Sequence, residues 1–223
     1  MKKTNIEWTE MTWKITTGCK HNCPYCYCRR FMKDTTPRYH PERHDEPLGL
    51  KRPTMIFVAN TGDLMGEWVK DWQIKEVKEV AEKCPQHIFQ FLTKNPARYA
   101  DFQPYPKNCW IGTTITCQED VGRADDIRGI EAGLRFISFE PILGVIREID
   151  LDGIDWAIVG AESIGNAYTP KDEISSKVWA KPLIEKIQAA GLPLFLKPNL
   201  RWPERIREMP FGKNDPSRIT TAG

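Results

Sequence analysis

The chain has 223 residues, 40% apolar and 10% aromatic, and its 32 lysines and arginines nearly balance 30 aspartates and glutamates, leaving a formal charge of +2. That composition excludes a disordered chain and gives no overall polyanion-binding signal, so any charged contact must come from a local patch. The opening MKKTNIEWTEMTW lacks the apolar centre of a signal peptide, and no run approaches the roughly 18 apolar residues of a membrane span. A cytoplasmic protein with no membrane partner is expected.

In chain order, short β-branched or aromatic runs alternate with amphipathic stretches. Strands are expected at Thr12 to Thr16, Thr54 to Asn60, His87 to Thr93, Cys109 to Ile115, Leu134 to Phe139, Trp156 to Gly160 and Pro193 to Lys197. Helices are expected at Val69 to Lys83, with Val69, Trp72, Val77 and Val80 as the apolar positions, and at Val178 to Ala190. Between the first two strands, residues 33–52 carry Pro37, Pro41 and Pro47 among many charges, which predicts an irregular excursion, a lid or a solvated loop. This beat predicts an α/β fold, a single partial (β/α) barrel of about six to seven parallel strands. With no repeat or linker in sight, residues 1–223 read as one domain ending in a basic tail at 200–223. That tail mixes Arg201, Arg205, Arg207, Lys213 and Arg218 with Trp202 and Phe211. Glu204, Glu208 and Asp215 dilute it, so a solvated terminus partly capping the barrel is favoured over a nucleic-acid contact.

Polar residues gather just after the strands, the edge at which parallel barrels build sites. The stretch TTGCKHNCPYCYCRR follows the first strand at that edge and holds four of the seven cysteines. In a reducing compartment an odd cysteine count clustered in one loop points to metal or redox chemistry, not disulfides. Cys19, Cys23 and Cys26 are spaced C-x3-C-x2-C, and three thiolates so placed can hold three irons of a four-iron cluster, leaving the fourth iron for a non-protein ligand. Cys28 reads as a small side chain facing the core, with a four-cysteine zinc knot as the competing reading. Cys84, Cys109 and Cys117 read as structural.

The motif TGCKHNCPYCY resembles the cluster motif of the radical S-adenosylmethionine (SAM) superfamily. TNIEWTEMTW, DWAIVGAES and LFLKPNLRWPE extend the likeness to the phage gene-product 37/68 family of radical SAM-like proteins, a domain of unassigned function. The resemblance implies a [4Fe-4S] cluster on Cys19, Cys23 and Cys26 whose open iron chelates SAM. Reductive cleavage would then yield methionine and a 5'-deoxyadenosyl radical that takes hydrogen from a substrate. It also implies an external one-electron reductant such as flavodoxin or ferredoxin. The superfamily's Gly-Gly-Glu-like segment falls here on Thr61, Gly62 and Asp63: Asp63 is the expected acceptor for the SAM ammonium and Gly62 the point of close approach, with a helix cap as the bland role for Asp63. Tyr25 is expected against the adenine, Thr93 and Lys94 near the ribose or carboxylate, and Thr114 completes the cofactor set.

Ser138 and Glu140 share a strand face because side chains alternate, and Pro141 stiffens the end of that strand. With Glu162 and Lys197 they form the expected catalytic or substrate rim, or else a salt-bridge network. Gly160 would let a ligand approach. The function expected is a radical SAM enzyme whose substrate is unidentified, with phage resemblance pointing to nucleic acid or nucleotide. The rivals are a non-catalytic zinc or iron-sulfur nucleic-acid-binding module and a SAM-independent electron carrier.

Overall fold

In this computed structural model, residues 1–162 and 178–210 are described. One sheet of eight strands organises them: β1 (Lys2–Lys3), β2 (Met11–Trp13), β5 (Met55–Val58), β6 (Ile88–Thr93), β7 (Cys109–Thr114), β8 (Leu134–Phe139), β9 (Trp156–Val159) and β10 (Leu194–Leu196), paired in that order. All seven expected strands are present and pair in parallel, each within a few residues of its predicted ends. The extra strand β1 adds antiparallel to β2, and its two lysines are too short a run to show an alternating pattern.

Strand side chains alternate between two apolar clusters, as period-two geometry requires. One face, with Ile56, Phe89, Ile111 and Ile137, packs against helix α2 (Asp71–Lys83) through Ile74, Val77 and Val80, and against α4 (Ala180–Ala189) through Leu183, Ile184 and Ile187. Trp72, expected on the apolar stripe of α2, is instead 52% exposed. The other face, with Phe57, Trp110, Phe136 and Trp156, closes around Trp8. Continuing that second register past the strand ends places Lys94 two residues beyond Leu92, Glu140 beyond Ser138, Glu162 beyond Gly160 and Lys197 beyond Phe195. The mouth of the partial barrel is thus lined by polar side chains because the inward-facing register runs on into the loops.

The excursion at 33–52 is irregular, as expected, with many exposed residues on one side and contacts to the sheet on the other. Arg38–Tyr39 forms β4, antiparallel to β3 (Thr16–Thr17), and the rest runs down the outside of β2. Trp13 Nε1 donates to Arg43 O at 2.8 Å, Arg43 Nη1 donates to Lys14 O at 3.0 Å, and the Tyr39 hydroxyl donates to Glu76 of α2 at 2.6 Å. It occupies the place where a barrel's first outer helix would lie, which prolines and charges disguise in the sequence. At its far end it reaches His87, which is fully buried and whose imidazole burial holds below its usual pKa. The unfolded chain therefore binds the extra proton first, so stability falls as pH drops below the unfolded value of about 6.5. Urea unfolding on either side of that pH should show the loss, and His87→Gln should flatten the slope.

Residues 206–208 pair antiparallel with the free edge of β10: Leu196 N donates to Ile206 O and Glu208 N to Leu194 O, both at 2.9 Å. The Trp156 indole donates to Glu208 O at 2.9 Å. The first half of the basic tail thus covers a sheet edge, with Arg207 over the Phe195 ring. Phe211, Lys213, Asp215 and Arg218 lie outside the described residues.

Candidate functional site

The cysteine loop joins β3 to the short helix α1 (Cys28–Phe31) and is held at its base by backbone. Gly18 N donates to Thr61 O at 2.9 Å and Cys19 N to Thr35 O at 3.0 Å. Gly18 has φ +76°, and a Cβ there would sit 2.2 Å from Thr36 O, so no other residue fits. Gly62 bridges to Gly18, and its own Cβ would meet Thr16 O at 3.1 Å. Gly62 therefore lets the cysteine loop approach closely, and it also lines the cavity described below.

Asp63 departs further from expectation. It is 5% exposed, and its two oxygens accept four hydrogen bonds: Oδ1 from Met65 N at 3.0 Å and the Thr93 hydroxyl at 2.7 Å, Oδ2 from Lys94 N at 3.1 Å and His21 Nε2 at 2.8 Å. A carboxylate offers about four lone-pair sites, and all are taken. Asp63 thus has both oxygens paired while also lining the cavity, and it does not cap α2, which begins at Asp71. It ties the cysteine loop, through His21, to the ends of β5 and β6. Thr93 is similarly committed, since its hydroxyl also accepts from Asn95 N at 2.9 Å. His21, edge-on to Trp68 at 5.0 Å, is a site residue that the sequence reading passed over because it lies between the cysteines without being one.

A cavity of about 660 Å³ opens at the C-terminal ends of the strands, and Cys19, Cys23 and Cys26 all line it. So do Tyr25, Thr61, Lys94, Thr114, Ser138, Glu140, Glu162 and Lys197, which the fold brings to one mouth as the sequence predicts. Lys94 is half-buried, and its ammonium lies 5.7 Å from the Tyr25 ring centre. Burial, with the Cys23 thiol beside it, pushes the Tyr25 phenol up. Burial likewise raises the Cys19 thiol to about 11, with Asp63 and Cys23 adding to it while the His21 N–H and Lys94 oppose.

Cys28 is buried as expected, but against Cys26 and Tyr27 and outside the two apolar clusters. Burial raises its thiol to about 11. Cys84 and Cys109 sit in the main core. Cys117 is half-exposed, 3.8 Å from the Thr116 hydroxyl, and takes no part in that core.

At the rim the carboxylates are matched. Lys197 Nζ donates to Glu140 Oε1, and Arg30 lies 3.9 Å from Glu162. Burial lowers the Lys197 pKa, but attraction and a hydrogen bond from Glu140, helped by Glu7, outweigh it and hold the ammonium above its usual value. A Cβ at Gly160 would lie 3.1 Å from both Glu140 and Lys197, so Gly160 makes room for this pair. Lys197→Met should cost about 2 kcal/mol by leaving a largely buried carboxylate unpaired, discounted for its partial exposure. Denaturant titration of this variant beside the Glu140→Gln/Lys197→Met double, which should recover part of the loss, checks the coupling.

The donor set fits an iron-sulfur cluster: three soft thiols on one wall, none in a disulfide. Among the described residues, no three histidine, cysteine, aspartate or glutamate side chains stand ready as a single-ion site. Asn60 and Thr61 also line the cavity, but their Oδ1 and Oγ1 atoms are buried beneath its surface without a protein partner among the described residues.

A family model described as "Protein of unknown function (DUF5131)" matches residues 3–215. The chain belongs to this family. Among curated proteins none matches this chain. Two solved structures resemble its fold. One is spore photoproduct lyase complexed with dinucleoside spore photoproduct (TM-score 0.55, 12% identity), the other a mutant of the same lyase (TM-score 0.53, 13% identity). Each comparison covers 82% of this chain, which spans 63% of the lyase chain. At such identity the likeness shows the fold alone: α/β, with a mostly parallel sheet of the partial-barrel kind. No helix among the described residues is long and apolar enough to cross a membrane.

Proposed function

We propose that this protein is a radical SAM enzyme that holds a [4Fe-4S] cluster on Cys19, Cys23 and Cys26. The observation carrying this reading is that all three thiols open onto one cavity at the C-terminal end of a parallel partial barrel, beside polar groups of the strand ends. When bound, the cluster supplies an electron and an open iron to SAM. A flavodoxin- or ferredoxin-like protein is the proposed electron source.

The chain's own residues then have separable tasks. Asp63 and His21 position the cysteine loop. Thr61, on the cavity lining beside them, is assigned to the SAM ammonium. Lys94 offers its cation to the SAM carboxylate and offsets negative charge near Cys19. Tyr25 gives an aromatic wall for the adenine. Thr114 and Ser138, buried on β7 and β8, present hydroxyls from the inner face, and Phe57 and Trp8 close the floor against water. Glu140, Lys197 and Glu162 face the substrate from the rim.

Anaerobic incubation of the iron- and sulfide-loaded protein with SAM and a reductant tests the reading. Release of methionine and 5'-deoxyadenosine is expected, and SAM left intact would overturn it. The rival, a non-catalytic zinc or iron-sulfur module, is favoured by one observation, the contact of Cys28 with Cys26.

A further inference from the structure

Helix α1 displays two aromatic rings to solvent at the cavity mouth: Tyr27 is 45% and Phe31 60% exposed, with ring centres 5.7 Å apart and tilted by 41°. Large exposed apolar side chains are few among the described residues, and these two sit with Arg29 and Arg30 on the lining of one cavity. The Tyr27 hydroxyl donates to Asn60 O at 2.8 Å, which fixes its ring in place while one face stays open. The local charge is positive. Glu140 is matched by Lys197 and Glu162 faces Arg30, whereas Arg29 and Lys94 form no salt bridge among the described residues. Arg29 instead donates to the neutral Asn22 side chain, and Lys94 lies over the Tyr25 ring; neither contact cancels charge.

We propose that this rim binds single-stranded nucleic acid, with a base stacked on Phe31 and Tyr27, a flanking phosphate on Arg29, and the adjoining nucleotide presented to the cavity as substrate. The last clause rests on the radical SAM reading; the binding itself does not. Aromatic faces accept any base, and the Arg29 guanidinium beside them meets the backbone, which is the combination strand-binding grooves use. A duplex hides its bases from such a platform. An acidic peptide would use the cation and leave the paired rings without a role. With only a few cations, the rim gives strand affinity that salt weakens gently.

Fluorescence anisotropy on the cluster-loaded full chain tests this, with labelled single-stranded DNA, the same sequence as RNA, the duplex and an acidic peptide as probes. A single strand should bind better than the duplex or the peptide, and the DNA and RNA arms show which strand is preferred. Phe31→Ser should weaken binding about tenfold. Arg29→Gln should lower the slope of log affinity against log salt by about one. Strand binding that is absent, matched by the peptide, or unmoved by both substitutions would overturn the proposal. EPR of the same samples keeps the two readings apart: a cluster that responds to SAM without strand binding removes only the substrate class, and strand binding without such a cluster removes only the chemistry.

Discussion

Alanine at Cys19, Cys23 or Cys26, taken singly, should reduce bound iron after anaerobic reconstitution to near background, whereas Cys28→Ala should retain it. In the proposed reading each of the three thiols holds one iron of a cluster whose fourth iron needs no protein ligand, so losing one leaves too few anchors, even in a loop held at its base by Gly18 and Cys19 and through His21 by Asp63. Cys28 touches Cys26 but is also the first residue of α1, where its buried side chain fills space beside Tyr27. A four-cysteine zinc site would invert the pattern, because removing Cys28 would then remove the metal as surely as removing Cys19. Iron, sulfide and zinc determined on the four variants in parallel decide between the two. Iron lost in Cys28→Ala, or zinc alone in the unsubstituted protein, would contradict the assignment.

The second large effect is expected at Asp63. Asp63→Ala strands four donors at once, the Thr93 hydroxyl, the Met65 and Lys94 amides and the His21 ring, in a site that water hardly reaches. A cost of about 3–4 kcal/mol follows from orphaned buried donors plus the cavity left behind. His21→Ala removes one of these bonds and exposes little, so it should cost nearer 1 kcal/mol. Urea unfolding gives both values. If Asp63 held the SAM ammonium instead, its loss would spare stability and abolish SAM binding, so a stable Asp63→Ala protein would refute the anchoring role.

The seven parallel strands were legible because apolar runs of four to six residues between turn signals have few other uses. The rim was legible for a related reason: Ser138, Glu140, Glu162 and Lys197 continue the inward register of strands that the sequence already defines. Illegible were the roles that depend on pairs far apart in the chain. Asp63 sits where a ligand-binding acid was expected, but His21 and Thr93 consume its acceptors, 42 and 30 residues away. The room that Gly160 makes for Glu140 and Lys197 was equally invisible. The excursion at 33–52 has no periodicity because Trp13, Arg43 and Tyr39 hold it by single hydrogen bonds to the strand and α2, not by a helical stripe. The exposed rings of Tyr27 and Phe31 carry no sequence signal at all, since burial is a property of the fold.

The central claim is that the Cys19, Cys23 and Cys26 wall holds a cluster with one iron open to SAM. EPR of the reduced, reconstituted protein with and without SAM measures this directly. The account predicts a [4Fe-4S] signal whose shape changes when SAM is added, and a signal identical in both samples would contradict it.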